Sequence, residues 1–158
     1  MIGRISAWLR SRADRDAPPH IRDGRRGEDL AYQYLRRRGY RIVARGYRPR
    51  RGKGEIDLIG WDGEKLAFIE VKTRGTADFG EPERAIGRDK RSRIIFAAEE
   101  YARRAGAEYG QIRYDTVSVI LREPSEITLR KDAFSARSGQ RRGGLPAGAA
   151  RHPENEEP

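Results

Sequence analysis

The chain has no cysteine, which excludes disulfides, thiol catalysis and cysteine-ligated zinc. Its two histidines, His20 and His152, fall in stretches that read as irregular, so a histidine-based metal centre or triad has nothing to be built from. No apolar run is long enough to span a membrane, and the N-terminal residues lack the apolar core of a signal peptide. These absences read as a cytoplasmic protein with no membrane partner. Lysine is scarce, occurring only at Lys53, Lys65, Lys72, Lys90 and Lys131. Arginine supplies nearly all of a net charge of +10 and a pI of about 10.4. That balance points to an anionic partner, nucleic acid first. The 158 residues suffice for one domain with a real core.

Two alternating apolar runs, Gly54 to Gly60 and Lys65 to Arg74, flank Trp61-Asp62-Gly63-Glu64. Asp-Gly between such runs is a hairpin signal, because its turn needs positive φ. With Asp62-Gly63 as the turn, Trp61 opposes Glu64, Asp57 opposes Phe68 and Glu55 opposes Glu70. One face then carries Ile56, Leu58, Ala67, Ile69 and Val71 as core. The other carries Ile59, Leu66 and Phe68 near the turn, and Glu55, Asp57, Glu70 and Lys72 further away. On this register Asp57 is diagonal to Glu70, within reach of one shared ion. Crowded carboxylates suit a hard cation, Mg²⁺ or Mn²⁺, which binds one or two carboxylates plus water and phosphate. A lysine beside it can neutralise charge developing on a phosphoryl group. The bland alternative is a solvated strand end in which Glu70 pairs with Arg74.

Residues 1–22 read as an extension in which Ile2, Ile5, Trp8 and Leu9 fall near helical spacing, ended by Pro18-Pro19. Asp23 is a candidate N-cap for a helix to about Arg38, with Leu30, Ala31, Tyr34 and Leu35 as its stripe and Glu28 toward the core side. Tyr40 to Ala44 reads as a strand. Arg45 to Lys53 reads as a basic loop whose Arg45, Arg48, Arg50, Arg51 and Lys53 suit contact with a phosphate backbone; a solvated charge run is the alternative. After a loop from Gly75 to Gly80 and a helical opening at Glu81-Pro82-Glu83, a helix is expected from about Arg88 to Ala105, ended by Gly106. Lys90 sits at its start, placed either to snorkel into solvent or to reach the site. Ile112 to Leu121 reads as a strand with a bulge near Asp115, and Ile127 to Leu129 as an edge strand. From about Ser135 the composition is that of a disordered tail. The domain is therefore expected over residues 23–134, as an α/β fold with a mixed sheet flanked by helices.

Asp57 followed by Glu70-Val71-Lys72, in an α-β-β-β-α-β order, resembles the PD-(D/E)XK signature of restriction-endonuclease-like nucleases. Gly27-Glu28-Asp29-Leu30-Ala31, Gly54 to Ile59, Phe68 to Arg74, Phe79-Gly80 and Lys90 are more closely similar to the YraN-type uncharacterised family of endonuclease-like proteins, over about residues 24 to 134. The chain has Ile56 before the aspartate, where the signature has proline, and Gly46 where the family has asparagine. The resemblance implies Asp57 and Glu70 as metal ligands and Lys72 as catalytic base or charge stabiliser. It implies Glu28 as the counterpart of the helix glutamate that Holliday-junction resolvases of this fold place near the metal. Arg74 and Lys90 join the basic loop as candidate nucleic-acid contacts. The expected function is metal-dependent cleavage of a phosphodiester backbone, DNA first, with a non-cleaving nucleic-acid-binding module or a basic partner of an acidic protein as alternatives. Resolvases of this fold act as dimers, which by analogy admits a homodimer.

Overall fold

The computed structural model describes residues 17–75 and 86–136. Helix α1 spans Pro19–Arg37, strands β1 to β3 span Arg41–Tyr47, Ile56–Asp62 and Lys65–Arg74, helix α2 spans Arg88–Ala105, and strands β4 and β5 span Ile112–Ile120 and Glu126–Phe134. The five strands form one sheet in the order β1-β2-β3-β4-β5. All neighbours are antiparallel except β3 and β4, which run parallel and are joined by the connection containing α2. This is the expected α/β fold: a mixed sheet with a helix on each face. The expectations for Ile2, Ile5, Trp8 and Leu9, for Phe79-Gly80 and Glu81-Pro82-Glu83, and for the chain beyond residue 136 lie outside the described residues.

Both faces of the sheet are core. Ala31 and Leu35 of α1 pack on Leu58, Ala67, Ile69, Val117 and Val119. Ile94, Ala97, Ala98 and Ala102 of α2 pack on Ile59, Leu66, Phe68 and Tyr114. Burial on both sides is why β2 and β3 read as nearly continuous apolar runs. Ile56 corrects the sequence reading: it packs with Ile59 and Phe68 on the α2 side rather than with Leu58.

The hairpin register also differs from expectation. Asp62 pairs with Lys65, Trp61 with Leu66 and Leu58 with Ile69. Gly63-Glu64 forms the turn, with Gly63 at φ +58°. Of the expected central pair Asp62-Gly63, only Gly63 lies in the turn, at its first central position. The slip is two residues, so side chains keep their faces. It moves Glu70 from a diagonal to Asp57 to the next position after the Leu58–Ile69 pair.

Helix α1 begins at Pro19, not Asp23; Pro18 and Pro19 open it, as proline's fixed φ suits a first helical position. Glu28 is therefore mid-helix, beyond the reach of the N-terminal dipole. Strand β1 runs on to Tyr47, which places Arg45 in the sheet rather than in the basic loop. The bulge near Asp115 is present, as a register shift between Tyr114 and Thr116 opposite β5. Gly106 ends α2 in the left-handed conformation at φ +67°.

Helix α1 approaches the sheet closely at Gly27. A Cβ there would overlap the Oγ1 and Cγ2 of Thr73. The absence of a side chain lets the helix lie on β3 and carries Glu28 to the strand end. Gly27→Ala is expected to destabilise the protein by about 1–3 kcal/mol through overpacking, although alanine favours helix. Thr73→Ala should restore part of the loss. Urea unfolding of the two single variants and the double variant measures this; additive losses, or an unchanged Gly27→Ala midpoint, would refute the contact.

Candidate active site

Asp57 and Glu70 meet where the β2–β3 ladder stops. Beyond Leu58–Ile69 the Asp57 Oδ2 accepts the backbone N–H of Val71 at 2.7 Å. A side chain thus takes over a donor that the strand ladder would otherwise satisfy, and this fixes the carboxylate. Glu70 lies on the central strand and is only 3% exposed. Its carboxyl group hydrogen-bonds to that of Asp57, and its Oε1 forms an ion pair with the Lys90 ammonium. Lys90 therefore reaches the site, the second of the two placements its position at the helix start allowed.

Burial raises the Glu70 pKa to about 7, with the Asp57 charge adding to the shift and Lys90 opposing it. Burial also raises Asp57, while the Val71 N–H and Lys90 pull it down. The proton belongs to the pair rather than to either residue. Glu28 is raised by burial and then by Asp57, with Arg45 opposing. Burial lowers the Lys90 pKa, but its bond and attraction to Glu70 outweigh that and leave it raised. Three carboxylates and one ammonium thus share a field, and their pKa values are displaced as at sites that handle charge.

Lys72 is two residues beyond Glu70 on β3, on the same side by alternation, roughly 6–7 Å along the strand. It is half-buried and lines a neighbouring cavity. Arg74 ends the strand, half-buried. Arg45 pairs with Asp29 at 2.5 Å and stacks over the Tyr32 ring at 4.8 Å. Arg48 pairs with Glu55 at 2.8 Å. The loop from Arg48 to Gly54 is held against α2. Glu100 accepts from the Tyr47 hydroxyl and from the backbone N–H of Arg50, each at 3.0 Å, and a Cβ at Gly54 would lie 2.9 Å from the Arg93 carbonyl. The side chains of Arg50, Arg51 and Lys53 are exposed. Glu55, expected on this face from alternation, pairs with Arg48, whereas Thr73, not singled out in the sequence, shapes the site through its contact with Gly27 of α1.

Among the described residues, no group of three or more His, Asp or Glu side chains is placed to hold a metal. Asp57 and Glu70 are a pair of hard oxygen donors whose charges are under-compensated. That fits Mg²⁺ or Mn²⁺, which complete their shells with water and substrate phosphate.

The five-stranded sheet with a helix on each face defines a mixed α/β class of architecture. A family model described as "Uncharacterised protein family UPF0102" matches residues 27–119, and the chain belongs to that family, the YraN family. Similar relatives include UPF0102 proteins of Solibacter usitatus, 52% identical over 70% of this chain and 84% of the relative, and of Koribacter versatilis, 48% identical over 75% and 83%. A UPF0102 protein of Syntrophus aciditrophicus is 39% identical over 77% and 94%. No helix of the described residues is long and apolar enough to cross a membrane.

The raised Glu70 value carries a sign. Between its ordinary 4.5 and about 7 the folded protein binds more protons than the unfolded chain, so stability falls as pH rises through that window. The loss is at most a few kcal/mol, at about 1.4 kcal/mol per pH unit. Chemical denaturation of metal-free protein from pH 4.5 to 7.5 should show this decline, and Glu70→Gln should flatten it. Identical pH profiles for the two proteins would refute the coupling.

Proposed function

We propose that the protein is a metal-dependent nuclease acting on the phosphodiester backbone of nucleic acid, DNA first. The observation that carries this reading is the contact between Asp57 and Glu70 at the end of the β2–β3 ladder, with Lys72 next on the same side of β3. Asp57 and Glu70 would hold Mg²⁺ or Mn²⁺. When bound, such an ion supplies Lewis-acid charge at the phosphoryl oxygens and an ionised water. Binding requires the pair to give up its shared proton and Glu70 to exchange its ion pair with Lys90. The Lys72 ammonium offsets charge that grows on the phosphate during in-line attack, so its contribution belongs to the transition state. Glu28 acts through Asp57, whose charge it opposes.

Asp57→Ala or Glu70→Ala should abolish Mn²⁺-dependent cleavage and weaken metal binding while DNA binding persists. Lys72→Ala should retain metal affinity and lose most of the rate, roughly a hundredfold or more, as expected when one charge stabiliser is removed. Glu28→Ala should have a smaller effect. Cleavage is followed across duplex, single-stranded, flap and four-way substrates, beside metal titration calorimetry. Activity that survives in Asp57→Ala would assign cleavage to another site.

A second reading, a nucleic-acid-binding module without cleavage, is favoured by the Lys90–Glu70 ion pair, which supplies a counter-charge with no metal. Binding without cleavage by wild type on every substrate would select it.

For either reading the phosphate contacts fall on exposed Arg50, Arg51 and Lys53, since Arg45 and Arg48 are held by Asp29 and Glu55. Replacing those three with alanine should weaken binding to all sequences about equally and reduce its salt dependence by about three phosphate contacts. Unchanged affinity, or loss confined to one sequence, would exclude the loop as a backbone clamp.

A further inference from the structure

Beside the Asp57–Glu70 pair, between the first turn of α2 and strands β3, β4 and β5, lies a cavity of about 170 Å³. Its buried surface comes from Ile86, Thr116 and Phe134, and its rim from half-buried Lys72 and Arg91 and exposed Arg130. Three cations converge on a space comparable to one that accepts a benzene-sized molecule. No carboxylate lines it. The Arg91 guanidinium carbon sits 5.7 Å from the Phe134 ring centroid, so the aromatic face helps to orient it. Its Nε is buried and has no hydrogen-bond partner among the described residues. A buried donor left unmet costs free energy, and a guanidinium is the side chain best shaped to meet a phosphate with two parallel bonds.

We propose that this cavity binds the terminal phosphate monoester of a nucleic-acid strand. The inference rests on the nuclease reading for the identity of the polymer and adds the feature that is recognised, a phosphorylated end. A monoester carries nearly two negative charges at neutral pH and three strong acceptor oxygens, which matches three converging cations better than the single charge of an internal diester. The buried Thr116, Ile86 and Phe134 line a space of about 170 Å³, a size that suits a single terminal group. Arg91 meets the phosphate through its guanidinium, and Thr116 offers its hydroxyl. Lys72 then faces both the bound end and the acidic pair, so the strand is registered by its end.

The test uses the full chain in EDTA and reads fluorescence anisotropy with a short single-stranded oligonucleotide carrying a 5′ phosphate, a 3′ phosphate or only hydroxyl ends. One phosphorylated form should bind at least about tenfold more tightly than the hydroxyl form, a charge-assisted gain, and inorganic phosphate should compete that gain away. Arg91→Gln and Arg130→Gln should each bring the ratio close to one while affinity for the hydroxyl form is retained. Thermal unfolding checks that the variants fold; Arg130 is exposed, so its variant decides should Arg91→Gln fail to fold. Equal affinity for all three oligonucleotides overturns the proposal, as does binding of inorganic phosphate without any preference between ends. Preference for a phosphorylated end with no cleavage under Mg²⁺ or Mn²⁺ leaves the pocket standing and removes the nuclease reading. Cleavage without that preference does the reverse.

Discussion

A carboxylate taken out of water costs several kcal/mol unless a partner is supplied, and Glu70 is buried on the central strand of the sheet. Its two partners come from different parts of the chain. Asp57 arrives from the neighbouring strand and is repulsive when ionised; Lys90 arrives from α2 and is attractive. Helix α2 sets that ammonium over strand β3. The packing of Ile94, Ala97 and Ala98 on Phe68 and Leu66 therefore does more than fill the α2 side of the core: it fixes where the counter-charge falls.

The two ends of the sheet are treated differently. Toward the turn end, on the network that reaches Asp62, Asp115 stands opposite Ile69 and is fully buried but amply bonded. It accepts from Arg113 Nε and Nη2 at 2.8 Å, from the Tyr40 hydroxyl at 3.1 Å and from the Asp132 backbone N–H at 3.0 Å. Arg113 and Lys131 also bond Asp62, at 2.7 and 2.6 Å. Each acidic group there has a donor, and the β4–β5 bulge and the hairpin turn are tied to one network. At the other end, carboxylates outnumber the ammonium that answers them, and Asp57, Glu70 and Glu28 all have raised pKa values.

Much of this was legible in the chain. Alternation along β2 and β3 put Asp57, Glu70 and Lys72 on one side, and a two-residue slip in register left that parity untouched. The helix Arg88–Ala105 was readable from its stripe and Gly106. The failures have physical causes. Asp62-Gly63 marked a turn but not which residues stood at its centre, because Gly-Glu also closes a two-residue loop once glycine takes the positive φ. Ile56 escaped its expected face where the β2–β3 ladder has ended and only β1 pairs with it, through Tyr47. Lys90 was ambiguous because a lysine one turn before a core stripe can point either way; the buried charge of Glu70, contributed by a distant strand, decides it. The basic loop is anchored by Glu100 and a close approach of Gly54 to α2, contacts that local composition does not encode.

The parallel pairing of β3 with β4 has a consequence for the order of assembly. Antiparallel β2 and β3 are joined by a two-residue turn and can meet early, since little chain entropy is spent in closing so short a loop. The Lys90 ammonium sits beyond that hairpin, in the connection to a strand whose contacts are far more distant in sequence, and such contacts form slowly. A nascent hairpin thus brings Asp57 and Glu70 together before their counter-charge exists. In the interval the two carboxylates remain in water, so the cost of burying them falls at the step in which α2 docks and delivers Lys90.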